Sequence, residues 1–404
     1  MDMYFFEFKM PGRTLCWDGG SGRIGKPMQR LGGSRVLVVT DKGVRGAGLI
    51  DGVIEGIEQA GPRIVGVFDE VPSDPGIATI ESCTRLAQEL EADALVSIGG
   101  GSSIDTAKAT LILLCEGGDL RDYEWNEYFA SCPVLPHIAI PTTAGTGSEA
   151  THVAMITDEG RNRKLMYQGG DLIPSMAVLD PRMTISLPPA MTAATGMDAL
   201  THAIEALHST WHQPITDGLA QQAIGLVDLY LERCFNDGAD VFARMNMLLA
   251  ANMGGVAASN SFIGIVHATA HPLGGLFHIP HGVAVGMMLP YCMEMNLAYE
   301  GIPAIYRKVA GAMGLARESD DDEAASRKAV ERVRGLVQSL GLPADLKEAG
   351  VPADSIQAYI DEVMEDRAMM VTPGNPGRQE VEELISRAYQ GRSQPRPPKA
   401  SHSL

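Results

Sequence analysis

The rhythm of hydrophobic and polar positions changes near residue 187. Before it, short continuous apolar runs at 35–41 (RVLVVTD), 64–69 (IVGVFD), 94–100 (ALVSIGG), 137–143 (HIAIPTT) and 176–181 (MAVLDP) alternate with stretches at helical spacing, 46–61 and 77–92. Runs that are apolar at nearly every position suit strands covered on both faces, and the helices between them supply the cover. The alternation predicts a doubly wound α/β domain with a mostly parallel sheet over residues 1–187. After SLPPAMTAATG no strand-like run recurs. Ala-, Leu- and Met-rich stretches at 217–234, 241–258, 302–314 and 324–341 repeat with a helical period, which predicts an all-α domain over 188–391. The methionine stripes read as core. The last segment, 392–404, is polar and Pro-rich and is expected to be disordered.

Charge narrows the partners. With 32 basic against 50 acidic side chains the net charge is −18, which argues against nucleic acid and against an anionic membrane surface. No apolar run reaches about 18 residues, and the first residues lack a basic then apolar leader pattern, so a cytoplasmic protein is expected. The six cysteines are scattered without a CxxC pair; they suggest neither a zinc knuckle nor a disulfide framework.

Candidate metal chemistry concentrates in three stretches. In TGMDALTHAIEA, Asp198 and His202 are four residues apart on a predicted helix and so share a face. His267 opens the stretch VHATAHPLGG, and His281 begins IPHGVAVGMMLP. One carboxylate with three imidazoles suits a divalent transition metal such as Fe(II) or Zn(II). His271, four residues after His267, shares its face; spacing alone would also allow it as a ligand. The other histidines read as surface or satisfied core groups, except that His278 is a further candidate for lining the cleft.

The nucleotide signals lie upstream. In ALVSIGGGSSIDTAKA a strand, a Gly99-Gly100-Gly101 turn and a helix follow one another. Such a turn lets phosphate oxygens approach the backbone at a helix N-terminus. Asp105 sits one turn into that helix, placed to cap it or touch cofactor, and Lys108 reads as solvated. PTTAGTGSEAT, after another strand, offers the hydroxyls of Thr142, Thr143, Thr146 and Ser148. Asp41 ends the strand RVLVVTD, where an acid can accept from ribose hydroxyls and repel a 2′-phosphate, favouring NAD over NADP; the plainer reading is a helix N-cap. Gly20-Ser21-Gly22-Arg23-Ile24-Gly25 also matches G-x-G-x-x-G, with little room for a helix behind it.

Together GGGSSIDTAKA, PTTAGTGSEAT, GMDALTHAIEA and HATAHPLGGLFHIPHGVAVGMMLP resemble the iron-containing (group III) alcohol dehydrogenase family over nearly the whole chain. The resemblance implies an N-terminal nucleotide-binding domain, a helical metal-binding domain and a catalytic cleft between them. It implies Asp198, His202, His267 and His281 as metal ligands, with iron favoured over zinc. It implies Asp41, Gly99, Gly100, Ser102, Asp105, Thr142, Thr143, Thr146 and Lys164 as NAD(H) contacts, and His271 as a proton-transfer group beside the nicotinamide. The implied reaction interconverts a primary alcohol or diol with its aldehyde or ketone, in a homodimer whose N-terminal strands pair across subunits; MYFFEFKMP suits such an edge strand, and equally a strand of its own sheet. A glycerol-dehydrogenase-like enzyme would use fewer histidines at its metal. A dehydroquinate-synthase-like lyase would need a Lys/Arg cluster beside the metal motifs, which is absent. A non-catalytic binding protein would bind NADH without turnover.

Overall fold

The computed structural model describes residues 6–124, 130–161 and 163–391; the tail expected to be disordered, 392–404, lies outside them. Eight strands form: β1 (Thr14–Cys16), β2 (Arg35–Val39), β3 (Arg63–Phe68), β4 (Ala94–Gly99), β5 (His137–Pro141), β6 (Val153–Asp158), β7 (Arg163–Gln168) and β8 (Met176–Leu179). Six of them make one parallel sheet in the order β1-β8-β5-β4-β2-β3. All five predicted strands are in it. Side chains alternate across its faces. Val36, Val38, Val96 and Ile98 point into a core shared with Ile24, Met28, Val53 and Ile57. Leu37, Val39 and Leu95 point the other way, against Cys83, Ala87, Ala107 and Leu111.

Those covering residues come from helices on both faces: α1 (Gly25–Leu31) and α3 (Asp51–Glu58) on one, α4 (Ile77–Glu89) and α5 (Gly101–Glu116) on the other, with α2 (Lys42–Gly46) a short connector. The sheet is therefore doubly wound, as predicted. The chain leaves β2 toward β3 on one side and returns to β4 on the other. That reversal opens a crevice beyond the carboxyl ends of β2 and β4.

Three features were not anticipated. β6 and β7 form an antiparallel hairpin apart from the main sheet; their apolar runs are short, and only alternate positions, Ala154, Ile156, Leu165 and Tyr167 among them, are buried. The described part of the N-terminal segment, 6–13, carries no strand, and the edge strand is β1 instead. Cys115 and Cys132 are disulfide-bonded, because the loop after α5 folds back to bring their Cα atoms within 5.7 Å; Cys83, Cys234 and Cys292 are buried thiols, as expected of small hydrophobes.

Beyond Leu179 the described residues hold no strand. They fold as α6 (Pro189–His208), α7 (Pro214–Asn236), α8 (Val241–Ser261), α9 (Ile265–Phe277), α10 (His281–Asn296), α11 (Ile302–Ala312), α12 (Asp322–Ser339), α13 (Ile356–Glu365) and α14 (Arg378–Gln390). One continuous apolar core runs through them, including the buried Met197, Met247, Met287, Met288 and Met293. No single helix among the described residues is long and apolar enough to cross a membrane.

Candidate metal centre and cofactor crevice

The sheet topology gathers the nucleotide motifs. Asp41 follows β2, the triple glycine follows β4, and Thr142–Thr146 follow β5, and these three strands are neighbours. Thr142 donates its backbone N–H to Gly99. A Cβ on Gly99 would lie 3.5 Å from Asp41 Oδ2, one on Gly100 3.4 Å from Thr143 Oγ1, and one on Gly101 2.9 Å from Thr146 Cγ2. Bare backbone, two threonine side chains and one carboxylate thus meet at the N-terminus of α5, where peptide N–H groups and the helix dipole favour an anion.

The remaining predicted contacts have partners of their own. Asp41 Oδ1 accepts from Val44 N–H at 2.9 Å, the plainer N-cap reading, while Oδ2 stays on the glycine side. Ser102 Oγ donates to the carbonyl of Ser73 at 2.6 Å, and Lys164 pairs with neighbouring Asp74 at 3.0 Å. Asp105 does not cap its helix: its two oxygens accept from Ser148 Oγ and from Met155 N–H. Lys108 is not solvated. It is fully buried, and its ammonium donates to Ser148 Oγ, Thr151 Oγ1 and the carbonyls of Thr151 and Val153 at 2.7–3.1 Å. The Gly20–Gly25 motif is a packing device: a Cβ on Gly56 of α3 would fall 2.0 Å from the Gly22 carbonyl oxygen, so the glycines let two backbones touch.

The loop after β5 also reaches the metal motifs. Gly145 packs against Thr195 of α6, three residues before Asp198, and its backbone favours the protonated ring of His202. One turn of α6 presents Asp198 and His202 together. His267 sits in the first turn of α9, and His281 is the first residue of α10. α10 comes close enough because Gly282 has no side chain; a Cβ there would lie 2.3 Å from the Ala194 carbonyl oxygen of α6.

Three nitrogens surround Asp198 Oδ1: His202 Nδ1 at 3.7 Å, His267 Nε2 at 3.8 Å and His281 Nε2 at 3.6 Å. Ligand bonds of roughly 2.1 Å in a tetrahedral site imply donor separations of roughly 3.4 Å, so a small contraction would serve a first-row cation. Asp198, His267 and His281 form the tight set, each offering a donor within 4.8 Å of the others. His202 lies outside that set, with its ring stacked on that of His267 at 4.8 Å. Asp198 Oδ1, His202 Nδ1 and His267 Nε2 are all buried without a hydrogen-bond partner. Buried polar atoms are nearly always satisfied, and one cation would satisfy all three.

Electrostatics agree. Burial opposes ionisation of Asp198, but the three imidazoles outweigh it and hold the carboxyl well below its usual range. Burial alone would discharge His267; Glu205 and Asp198 outweigh it and push its pKa up to about 9. Glu205, on the next turn of α6, was not anticipated. Neither was Asp366, whose Oδ2 accepts from His271 Nδ1 at 2.8 Å. His271 stacks on His281 with ring centroids 5.8 Å apart, so it adjoins the cluster without joining it. His278 closes the C-terminus of α9 in a left-handed conformation on the surface. His137 is a neutral core group bonded to Ser97.

Similarity to known proteins follows this division. Residues 11–181 match the family model "Iron-containing alcohol dehydrogenase", and residues 192–389 match "Fe-containing alcohol dehydrogenase family, C-terminal". The chain is 35% identical over 383 residues to alcohol dehydrogenase 4 of Saccharomyces cerevisiae strain YJM789, covering 95% of this chain and 98% of the yeast protein. It is 33% identical over 382 residues to the NAD-dependent methanol dehydrogenase of Bacillus methanolicus, covering 95% and 99%. The crystal structure of a 1,3-propanediol oxidoreductase superposes with a TM-score of 0.92 at 32% identity, covering 96% of this chain and all of that one. The chain belongs to the iron-containing alcohol dehydrogenase family and is an alcohol oxidoreductase of that class.

Proposed function

We propose that Asp198, His202, His267 and His281 hold a divalent cation, iron in preference to zinc, and that the crevice at β2, β4 and β5 holds NAD(H). On this reading the enzyme interconverts a primary alcohol or diol with its aldehyde. The observation that carries it is the set of buried, unpartnered atoms around Asp198 Oδ1, on a helix against which Gly145 of the crevice loop packs directly. When bound, the cation supplies Lewis acidity toward a substrate oxygen and the nicotinamide supplies the hydride acceptor.

The protein's own residues do the rest. Gly99–Gly101 give backbone access to phosphates, with Ser102, Thr142, Thr143 and Thr146 around them and Asp41 on the ribose side. Asp105 and Lys164 act from behind, by fixing the loop and the hairpin that wall the crevice. Asp366 holds the Nδ1 proton of His271, which leaves Nε2 as the nitrogen free to exchange a proton; its ring is partly exposed to water. The helices α6, α9 and α10 fix the candidate ligands relative to one another, so reacting groups are positioned rather than diffusing. Location in the cytoplasm and a homodimer complete the proposal. The dimer draws support from β1, an edge strand whose outer side is unpaired among the described residues.

The test is a panel of primary alcohols, diols and aldehydes, followed by NADH absorbance, on protein purified without chelator and supplied anaerobically with Fe(II) or with Zn(II). Turnover that requires metal and NAD(H) is the expected result. NADH binding without turnover on any member would defeat it. Light scattering reads the assembly.

A further inference from the structure

Behind the metal centre lies a buried polar chain that the reaction does not use. Glu205 stands on α6 seven residues after Asp198 and three after His202, so one helical stripe carries all three. Its Oε2 accepts from His267 Nδ1 at 2.5 Å, and its Oε1 accepts from the backbone N–H of Val266 at 2.7 Å. Val266 lies in the first turn of α9, where N–H groups lack helical partners and the dipole favours an anion. One carboxylate therefore ties down both the start of α9 and the ring it carries.

The carboxylate is itself held from behind. Asn296 donates to the Tyr306 hydroxyl at 3.3 Å, and that hydroxyl donates to His208 Nδ1 at 2.9 Å. This order leaves the His208 proton on Nε2, which faces Glu205 Oε1 at 3.9 Å. Glu205, His208, Asn296 and Tyr306 are all buried. A buried carboxylate without partners is costly; this one accepts from His267 Nδ1 and from Val266 N–H, and His208 Nε2 faces it beyond hydrogen-bond distance.

We propose that Glu205 is a positioning residue of the metal centre: by accepting the Nδ1 proton of His267 it fixes the ring's tautomer and aims Nε2 at Asp198, which tightens cation binding. The inference rests on reading Asp198, His202, His267 and His281 as ligands. Carboxylates that orient ligating histidines typically change metal affinity 10–100-fold.

The experiment strips the full chain of metal and titrates it with Co(II) and Zn(II), reading affinity by competition with a chromophoric chelator and geometry by the visible Co(II) spectrum. Asp198→Ala tests the ligand reading: wild type must bind and Asp198→Ala must not, or that reading fails and takes Glu205 with it. Given that result, Glu205→Gln is expected to bind about 10–100-fold more weakly and to alter the Co(II) spectrum. Wild-type affinity with an unchanged spectrum overturns the proposal while leaving the ligand reading intact. Circular dichroism checks that the variant folds. If it does not, NMR of Zn(II)-loaded wild type with nitrogen-15-labelled histidine decides: His267 ligating through Nε2 with a protonated Nδ1 supports the proposal, and ligation through Nδ1 overturns it.

Discussion

Lys108 and Asp198 are both ionisable groups sunk among polar neighbours, yet their surroundings differ in one respect. The ammonium of Lys108 meets four oxygen acceptors, and Asp105 and Glu149 supply the countercharge; Glu149 in turn accepts from Asn252 of α8. Its hydrogen bonds close. Around Asp198 they do not: Asp198 Oδ1, His202 Nδ1 and His267 Nε2 face one another without a hydrogen-bond partner. Leaving a buried polar atom unpaired costs about 1–3 kcal/mol, and three together are a burden that a bound cation would remove. The convergence of unpartnered atoms on one point thus distinguishes the Asp198 cluster from that of Lys108, even though both arise from motifs rich in acids, hydroxyls and bases.

The sharpest break between the two is Asp198→Ala. It should abolish metal retention through dialysis, measured by elemental analysis, and drop turnover below detection. Lys108→Met should retain metal. If Lys108→Met lost metal as completely as Asp198→Ala, the contrast between closed and open clusters would be void.

Stability should respond in the opposite sense. Removing one partner of a buried ionic network costs about 3–5 kcal/mol, so Lys108→Met should lower the denaturation midpoint markedly. Its pH dependence sharpens this. Burial, opposed by Asp105 and Glu149, pulls Lys108 down to about 8 from its ordinary 10.5. Between those values the unfolded chain holds a proton that the folded chain has released, so stability rises with pH across that window. Wild type should gain on Lys108→Met from pH 8 upward; parallel stability curves would show that the ammonium is not strained by burial. Added cation gives a smaller effect: at a hundred times Kd it should stabilise the protein by about 2.7 kcal/mol. Wild type and Lys108→Met should both show that gain in thermal melts, and Asp198→Ala should not.

The same contrast explains what sequence reading could reach. Strands β2, β4 and β5 were legible because full burial writes a continuous apolar run, and Asp198 with His202 because one helical turn pairs them. Glu205 was harder: its meaning depends on His267, 62 residues away, and in sequence it is merely an acid in an Ala-rich helix. Lys108 looked like any helical lysine, since nothing local says that Thr151 and Val153 turn their carbonyls toward it. The Gly20–Gly25 motif misleads for the same reason, because glycine serves close packing against Gly56 as well as it serves phosphate.

The smallest effect concerns Asp41, where one carboxylate stands between two roles. Oδ1 caps α2 through Val44 N–H, and Oδ2 lies on the Gly99 side of the crevice. Asparagine is as good an N-cap as aspartate, so Asp41→Asn should leave stability within about 0.5 kcal/mol, the usual range for surface changes. It removes the charge, however, and with it the repulsion of a 2′-phosphate. If the carboxylate reads the ribose, the preference for NADH over NADPH in KM should fall about tenfold, a difference of about 1.4 kcal/mol, chiefly through better use of NADPH. If it only caps the helix, the preference should not move, and the cofactor reading of Asp41 would be withdrawn without touching the metal centre.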